Sequence, residues 1–233
     1  MADSGRSTAN LRLTVGGLKI VHPITVPSAA VPATEVVPAL QGLVNAVVGA
    51  AEAAEAGKTI SCRKGCGACC RQLVPVSRTE GERLLALVEA MPQERRATLQ
   101  ARFAAAEAAI VGAGLHEHAG RADRELSVAY FALHVACPFL EDESCSINPE
   151  RPLVCREYLV TSPAELCAGP AQQGVTPVAV PKVSLAARRL QDEGDDWFPL
   201  AMLLAWARTR PKDARKRPGK EWIQRFVQRL AVS

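Results

Sequence analysis

Eight cysteines carry most of the chemistry this chain can offer, and four of them fall within nine positions. The segment Cys62-Arg-Lys-Gly-Cys66-Gly-Ala-Cys69-Cys70 reads C-x3-C-x2-C-C. Cys137, Cys145, Cys155 and Cys167 follow at wider intervals. Thiolates are soft ligands that suit zinc, copper(I) and iron–sulfur centres. Gly65 and Gly67 let a short ligand loop turn tightly around such a centre. Cys69 and Cys70 are adjacent, so in extended backbone their side chains diverge. They would then serve two centres, or two faces of one cluster, rather than one small ion. Arg63, Lys64, Arg71, Arg151 and Arg156 neighbour the cysteines. They read equally as cations offsetting thiolate charge and as solvated surface groups.

The spacing bears on which metal. Structural zinc sites usually show paired C-x2-C hooks around one tetrahedral ion. One crowded hook with dispersed partners is closer to cluster ligation, in which three near cysteines join a remote fourth. An iron–sulfur cluster, [4Fe-4S] as the favoured form, is therefore preferred over zinc, and eight thiols suffice for one centre or two. C-x3-C-x2-C is also the spacing of radical SAM enzymes. Ala68 stands where those motifs place an aromatic, and the following chain lacks the serial strands of a partial barrel.

Other signals are weaker. Gly57-Lys58-Thr59 resembles the end of a phosphate-binding loop, but Glu52 occupies the position of the required glycine. His116-Glu117-His118 reads as a solvated polar tip sooner than a metal site. The basic run from Arg208 to Lys220 lacks interleaved aromatics and contains Pro211 and Pro218, so a solvated linker is preferred to a nucleic-acid surface. No Ser-His-Asp set and no carboxylate pair near the cysteines points to a catalytic residue.

The elements that must position the cysteines can be read in outline. With 233 residues and 48% hydrophobic content, the chain can bury a core without disulfide staples. A net charge of +4 is too small to argue for nucleic acid. The N-terminus shows no apolar leader, and Phe198 to Ala207 counts among the longest apolar runs. These features suggest a soluble cytoplasmic protein with no membrane contact, where thiols stay reduced. Leu11, Leu13 and Val15, then Gly16-Gly17, then Leu18 and Ile20, spell a β-hairpin. Pro23, Pro27, Pro32 and Pro38 suggest an extended connector, and Glu35 to Ala56 a helix stopped by Gly57. Ser77 to Glu80 is a capping box opening a helix to about Ala90. A second helix starts near Pro92 and runs to about Val111, with Leu99, Phe103, Ala106 and Ile110 on one side. A third covers Arg124 to Val135.

Beyond Cys137 the chain is turn-rich, with a short helix over Leu153 to Val160 and a strand over Thr176 to Val183. Helices over Pro199 to Ala207 and Lys220 to Ala231 close it. Trp222, Phe226, Val227 and Leu230 make a core-facing stripe on the last helix. The expected fold is mainly α (α+β), divided into a hairpin and connector at 1–34, a cysteine-cluster metal-binding domain at 35–170, and a C-terminal helical extension at 171–233 packed on the same domain.

CRKGCGACC, then CPFL, then CSINPERPLVCREY, resembles the YkgJ-like family named for its CxxCxxCC cluster, a zinc- or iron-chelating domain. The resemblance covers roughly residues 62 to 158. It implies metal-ligand roles for Cys62, Cys66, Cys69, Cys70, Cys137, Cys145 and Cys155, with weaker support at Cys167. Asn148 departs from the pattern, which places an aromatic there. The family is associated with iron–sulfur oxidoreductases, and a related core occurs in flagellin lysine N-methylases. Three functions follow as expectations: an iron–sulfur protein with a redox role and a redox or other protein partner, a zinc-organised interaction module, and a cluster-containing methyltransferase-like enzyme.

Overall fold

Gly16 and Gly17 both adopt left-handed backbone, with φ of +54° and +79°. That is what a two-residue turn between right-twisted strands requires. They join β1 (Arg6–Val15) to β2 (Leu18–Pro27) in antiparallel register, Val15 opposite Leu18 and Arg6 opposite Pro27. The hairpin is longer than the alternating pattern suggested. Pro23 and Pro27, expected in a connector, lie within β2, because a two-stranded ribbon has free edges that tolerate a missing N–H. In this computed structural model the described residues are 5–118, 124–169, 173–191, 196–210 and 215–230.

The inner face of β2 packs on α1 (Val37–Ala54) and α8 (Gly219–Leu230), where Ile24, Leu40, Leu43, Val44, Val47, Trp222 and Phe226 form one buried cluster. Trp222 donates its Nε1–H to the Val31 carbonyl at 2.8 Å. Gly219 admits the hairpin closely, since a Cβ there would stand 2.6 Å from the Pro27 oxygen. With its preceding turn, α1 spans Ala33–Ala54. It is long and apolar enough to cross a membrane by length and composition. It exceeds the ten-residue stretch noted in the sequence, but Leu40, Leu43, Val44 and Val47 are sealed against protein, so here it is the central core helix.

A second layer holds α2 (Arg78–Glu89), α3 (Gln93–Gly112) and α7 (Leu203–Thr209), with α4 (Arg124–Ala132) flanking it. Val76, Leu84, Leu99, Phe103, Phe139 and Leu203 fill its core. The capping box forms as expected: Ser77 Oγ accepts from the Glu80 N–H, and Glu80 accepts from the Ser77 N–H. The architecture is mainly α with small antiparallel β elements.

Four elements depart from the sequence reading. The helix expected over Pro199 to Ala207 begins as β7 (Trp197–Pro199), which pairs with β4 (Pro75–Ser77), so α7 starts only at Leu203. The strand expected over Thr176 to Val183 reduces to one bridge, Val160 to Pro177; Pro177 and Pro181 lack the N–H a ladder needs. The helix expected to reach Val160 is α5 (Leu153–Glu157). Tyr158 turns extended, and Leu159 then accepts from the Val178 N–H at 2.8 Å. A short helix, α6 (Ser184–Arg188), was not foreseen.

Candidate metal centre

The cysteine hook is built on a single 3-10 turn, Ala68–Arg71, after Gly67. Gly67 is buried, and a Cβ on it would lie 2.7 Å from the Glu143 carbonyl oxygen and 2.5 Å from Leu140 Cδ1. Only glycine lets this turn touch the small hairpin of β5 (Leu140–Glu141) and β6 (Ser144–Cys145). Asp142 and Glu143 at the tip of that hairpin both hold positive φ, 46° and 56°. Ion pairs pin the tip: Arg71 donates to Glu143 at 2.6 and 3.0 Å, and Arg102 and Arg95 both donate to Glu141.

Six of the eight predicted thiols, Cys66, Cys69, Cys70, Cys137, Cys145 and Cys155, line one cavity of about 150 Å³. They come from the hook, the stretch after α4, strand β6 and helix α5. Cys69 and Cys70 face this same space. The expected divergence of their side chains is corrected, because neighbours on a 3-10 turn are about a third of a turn apart, not opposed as in a strand. The Cys137 N–H donates to the Cys70 carbonyl at 2.7 Å, fixing one cysteine segment on the other.

Cys62 and Cys167 do not line the cavity. Cys62 Sγ lies 3.9 Å from the Tyr158 carbonyl, and Tyr158 Oη donates to Cys167 Sγ at 3.9 Å. Gln72 holds the Cys167 carbonyl at 2.9 Å. Tyr158 itself lines the cavity, as do Gln72 and Asn148. All eight cysteines are free thiols.

Burial governs their protonation. It raises Cys62, Cys145, Cys155 and Cys167, and pushes Cys137 up to about 12. Cys69 is raised first by its hydrogen bond with Cys70 and then by burial. Four thiols have a backbone N–H as countering donor: Val160 to Cys62, Phe139 to Cys137, Ile147 to Cys145, and at Cys69 its own. Arg151 opposes the rise at Cys62, Cys69, Cys145 and Cys155. It lines the cavity, and its buried Nε has no hydrogen-bond partner among the described residues. Arg63 lines the cavity as well. Arg71 is instead paired with Glu143, and Arg156 is turned into the fold, donating to Asn45 Oδ1 and the Arg151 carbonyl at 3.1 Å each. Arg151 is therefore the most widely shared cationic offset, with Arg156 adding to it at Cys145 and Arg71 still sensing Cys70.

Two buried carboxylates that the sequence reading missed clamp the helix bearing Cys155. Glu80 accepts the Leu153 N–H at 2.7 Å at its start, and Glu157 accepts Ser184 N–H and Oγ–H at 2.6 Å each at its end. Acidic residues in amphipathic stretches look solvated, and the capping box was the one signal for Glu80.

The donor set fits a soft cation. Buried neutral thiols lose their protons when a metal coordinates them, and Arg151 and the amide donors favour the resulting charge. Among the described residues, no three His, Cys, Asp or Glu side chains converge closely enough to hold a single ion. The thiols ring a space rather than meet at a point. The His116-Glu117-His118 motif lies in a 3-10 turn, but the side chains of Glu117 and His118 fall outside the described residues. Within the basic run, Arg208 pairs with Glu107, Arg215 donates to the Gln191 carbonyl, and Arg210 and Arg217 sit over Trp206 and Trp222. Lys212 and Asp213 lie outside the described residues.

A cavity walled by cysteines from several elements is the arrangement a thiolate metal-binding domain would present. Residues 61–173 match the model of the CxxCxxCC family, described as a putative zinc- or iron-chelating domain. This stretch, just under half of the chain, is similar to that family's domain, and the match supports metal binding. The match encloses all eight cysteines, Cys167 included, and the first interval here is one residue longer than the family's name spells. No curated protein and no solved structure matches the chain.

Proposed function

We propose that this is a cytoplasmic iron–sulfur protein whose cavity thiols hold a cluster, [4Fe-4S] as the favoured form, and that it exchanges electrons with a redox partner protein. The observation that carries the reading is the set of six cysteines lining one cavity, with no three donors among the described residues gathered for a single ion. A polynuclear group needs donors set apart around a volume, whereas tetrahedral zinc needs four at one point. When bound, such a cluster supplies one-electron chemistry. The chain's own residues wall it with Phe139, Ile147 and Leu200, aim amide N–H groups at Cys137 and Cys145, and set Arg151 against the thiolate charge. Anaerobically purified protein is expected to be brown, to absorb near ~400 nm, and to contain iron and sulfide. Colourless protein with stoichiometric zinc would overturn the reading.

One observation favours the zinc alternative. At Cys137 and Cys145 the sulfur receives the N–H two residues on, a compact knuckle that suits a closed structural ion. Under that reading the metal ties the loops together and the helices present a surface to another protein. The same metal analysis separates the two.

A further inference from the structure

We infer that the turn Arg63–Cys66, at the mouth of the cysteine cavity, is the docking site for an acidic electron-transfer protein, with Arg63 and Lys64 as the cations that meet its carboxylates. This rests on the redox reading above and deepens it by naming where the partner binds and what charge it carries.

The turn is built to stand out from the surface. The Cys66 N–H donates to the Arg63 carbonyl at 3.1 Å, which closes a β-turn. Gly65, the third residue of that turn, holds φ +86°, the left-handed value a type II turn requires. A Cβ on Gly65 would meet nothing within 4 Å, so the tip lies in solvent. Arg63, Lys64 and Gly65 are all exposed. Arg63, Gly65 and Cys66 also line the cavity. One short turn is thus both outer surface and cavity wall. Electron tunnelling weakens exponentially with distance, and a donor seated on this turn is one residue from a cavity thiol.

Charge sets the mouth apart from its surroundings. Arg71 is neutralised by Glu143, Arg83 by Glu150, and Arg95 and Arg102 by Glu141. Arg156 uses its donors inside the fold. Among the described residues neither Arg63 nor Lys64 has a carboxylate partner, and no Asp or Glu lines the cavity. Arg151, also on the cavity wall, answers the thiolates, which leaves Arg63 and Lys64 for a partner outside. Unpaired charge at a concave mouth focuses its field outward and speeds encounter with the opposite sign. Electron-transfer complexes are small and transient, so a few such cations suffice to orient them. Complementarity then names the partner: a protein with carboxylates clustered around its own redox group.

Electron exchange between the holoprotein and an acidic flavodoxin tests this by stopped flow, run in the direction that their measured potentials make downhill. One electron moves between the cluster and the flavin, which passes between its semiquinone and a neighbouring oxidation state. Photoreduced 5-deazariboflavin, a small uncharged reductant, is the control. The second-order rate constant should fall about tenfold or more as ionic strength rises from about 0.02 to about 0.5 M. Lys64→Glu should lower the low-salt rate about fivefold and keep the visible spectrum and the deazariboflavin rate of the wild type. The double variant Arg63→Glu, Lys64→Glu should lose most of the salt dependence. A salt-independent rate, or unchanged exchange in Lys64→Glu, overturns the docking site while normal reduction by deazariboflavin leaves the iron–sulfur reading intact. Lys64 does not line the cavity, so its variant decides the matter even where Arg63→Glu disturbs the centre. A colourless holoprotein that deazariboflavin cannot reduce overturns the redox reading and the docking site with it.

Discussion

Around α1, Leu40, Leu43, Val44 and Val47 are sealed between the hairpin and Trp222 and Phe226 of α8. Around the cavity, the chain is made of 3-10 turns, two-residue strands and one five-residue helix. The first region is held by continuous aliphatic burial, worth about 25 cal/mol per Å² and indifferent to small shifts. The second is held at points: Arg71 on Glu143, Arg102 on Glu141, Glu80 on Leu153, Glu157 on Ser184. Point contacts place donors accurately but cannot by themselves keep eight neighbouring, mostly half-buried thiols apart from one another. The body folds on hydrophobic burial, and on the metal-binding reading the cysteine region is expected to depend on its metal as well.

Metal removal should expose that contrast most strongly. Ligand binding and folding are one free energy in small thiolate sites, on the order of 10 kcal/mol for structural zinc. Chelation under reducing conditions should abolish hydrogen-exchange protection over residues 62–71 and 137–157 while α1 and α8 keep theirs. Equal loss of protection in α1 would show one cooperative unit and erase the distinction between the regions.

What could be read in the sequence follows the same line. The Gly16-Gly17 turn, the Ser77–Glu80 box and the Leu99–Ile110 stripe are local, so a short window contains their cause. The cysteines announced a metal through their type and crowding alone. The pairing of Val76 with Phe198 joins residues more than a hundred positions apart, and no window shows it. Cys69 and Cys70 looked divergent because the 3-10 turn that unites them is imposed by the contact of Gly67 with Glu143. Tyr158, which meets both Cys62 and Cys167, was visible only as the end of a family motif. Glu157 gave no signal at all, since its partner Ser184 sits on a helix that was itself unforeseen.

Glu80 tests whether one polar clamp serves both regions. It caps α2 and at the same time satisfies the Leu153 N–H, for which Pro152 offers no side-chain cap. Glu80→Ala leaves that buried donor bare and should cost about 2 kcal/mol of stability, read from the denaturation midpoint. Because α5 carries Cys155, metal affinity should fall as well. Glu80→Gln keeps one acceptor and should lose less of both. If the alanine variant is destabilised but binds metal as the wild type does, the clamp belongs to α2 alone.

Glu157 gives a smaller effect with a defined sign. Burial raises its pKa to about 7, against the opposing pull of Ser184 and Lys182, with Glu80 adding to the rise. Its folded-state pKa lies above the unfolded value of 4.5, so between these limits the folded chain holds the proton more often. The contribution to stability is complete below about pH 4.5 and is lost as pH rises through about 7. Glu141 and Glu143 act oppositely, because their arginine partners lower them, and their stabilisation disappears on the acid side. Glu157→Gln removes only the neutral-side slope. The stability difference between wild type and variant, compared in the same metal state, should change by about 3 kcal/mol in the variant's favour from pH 4.5 to 8. A pH-independent difference would mean that the Ser184 hydrogen bonds keep Glu157 ionised throughout, and that the end of α5 is held by charge rather than by a shared proton.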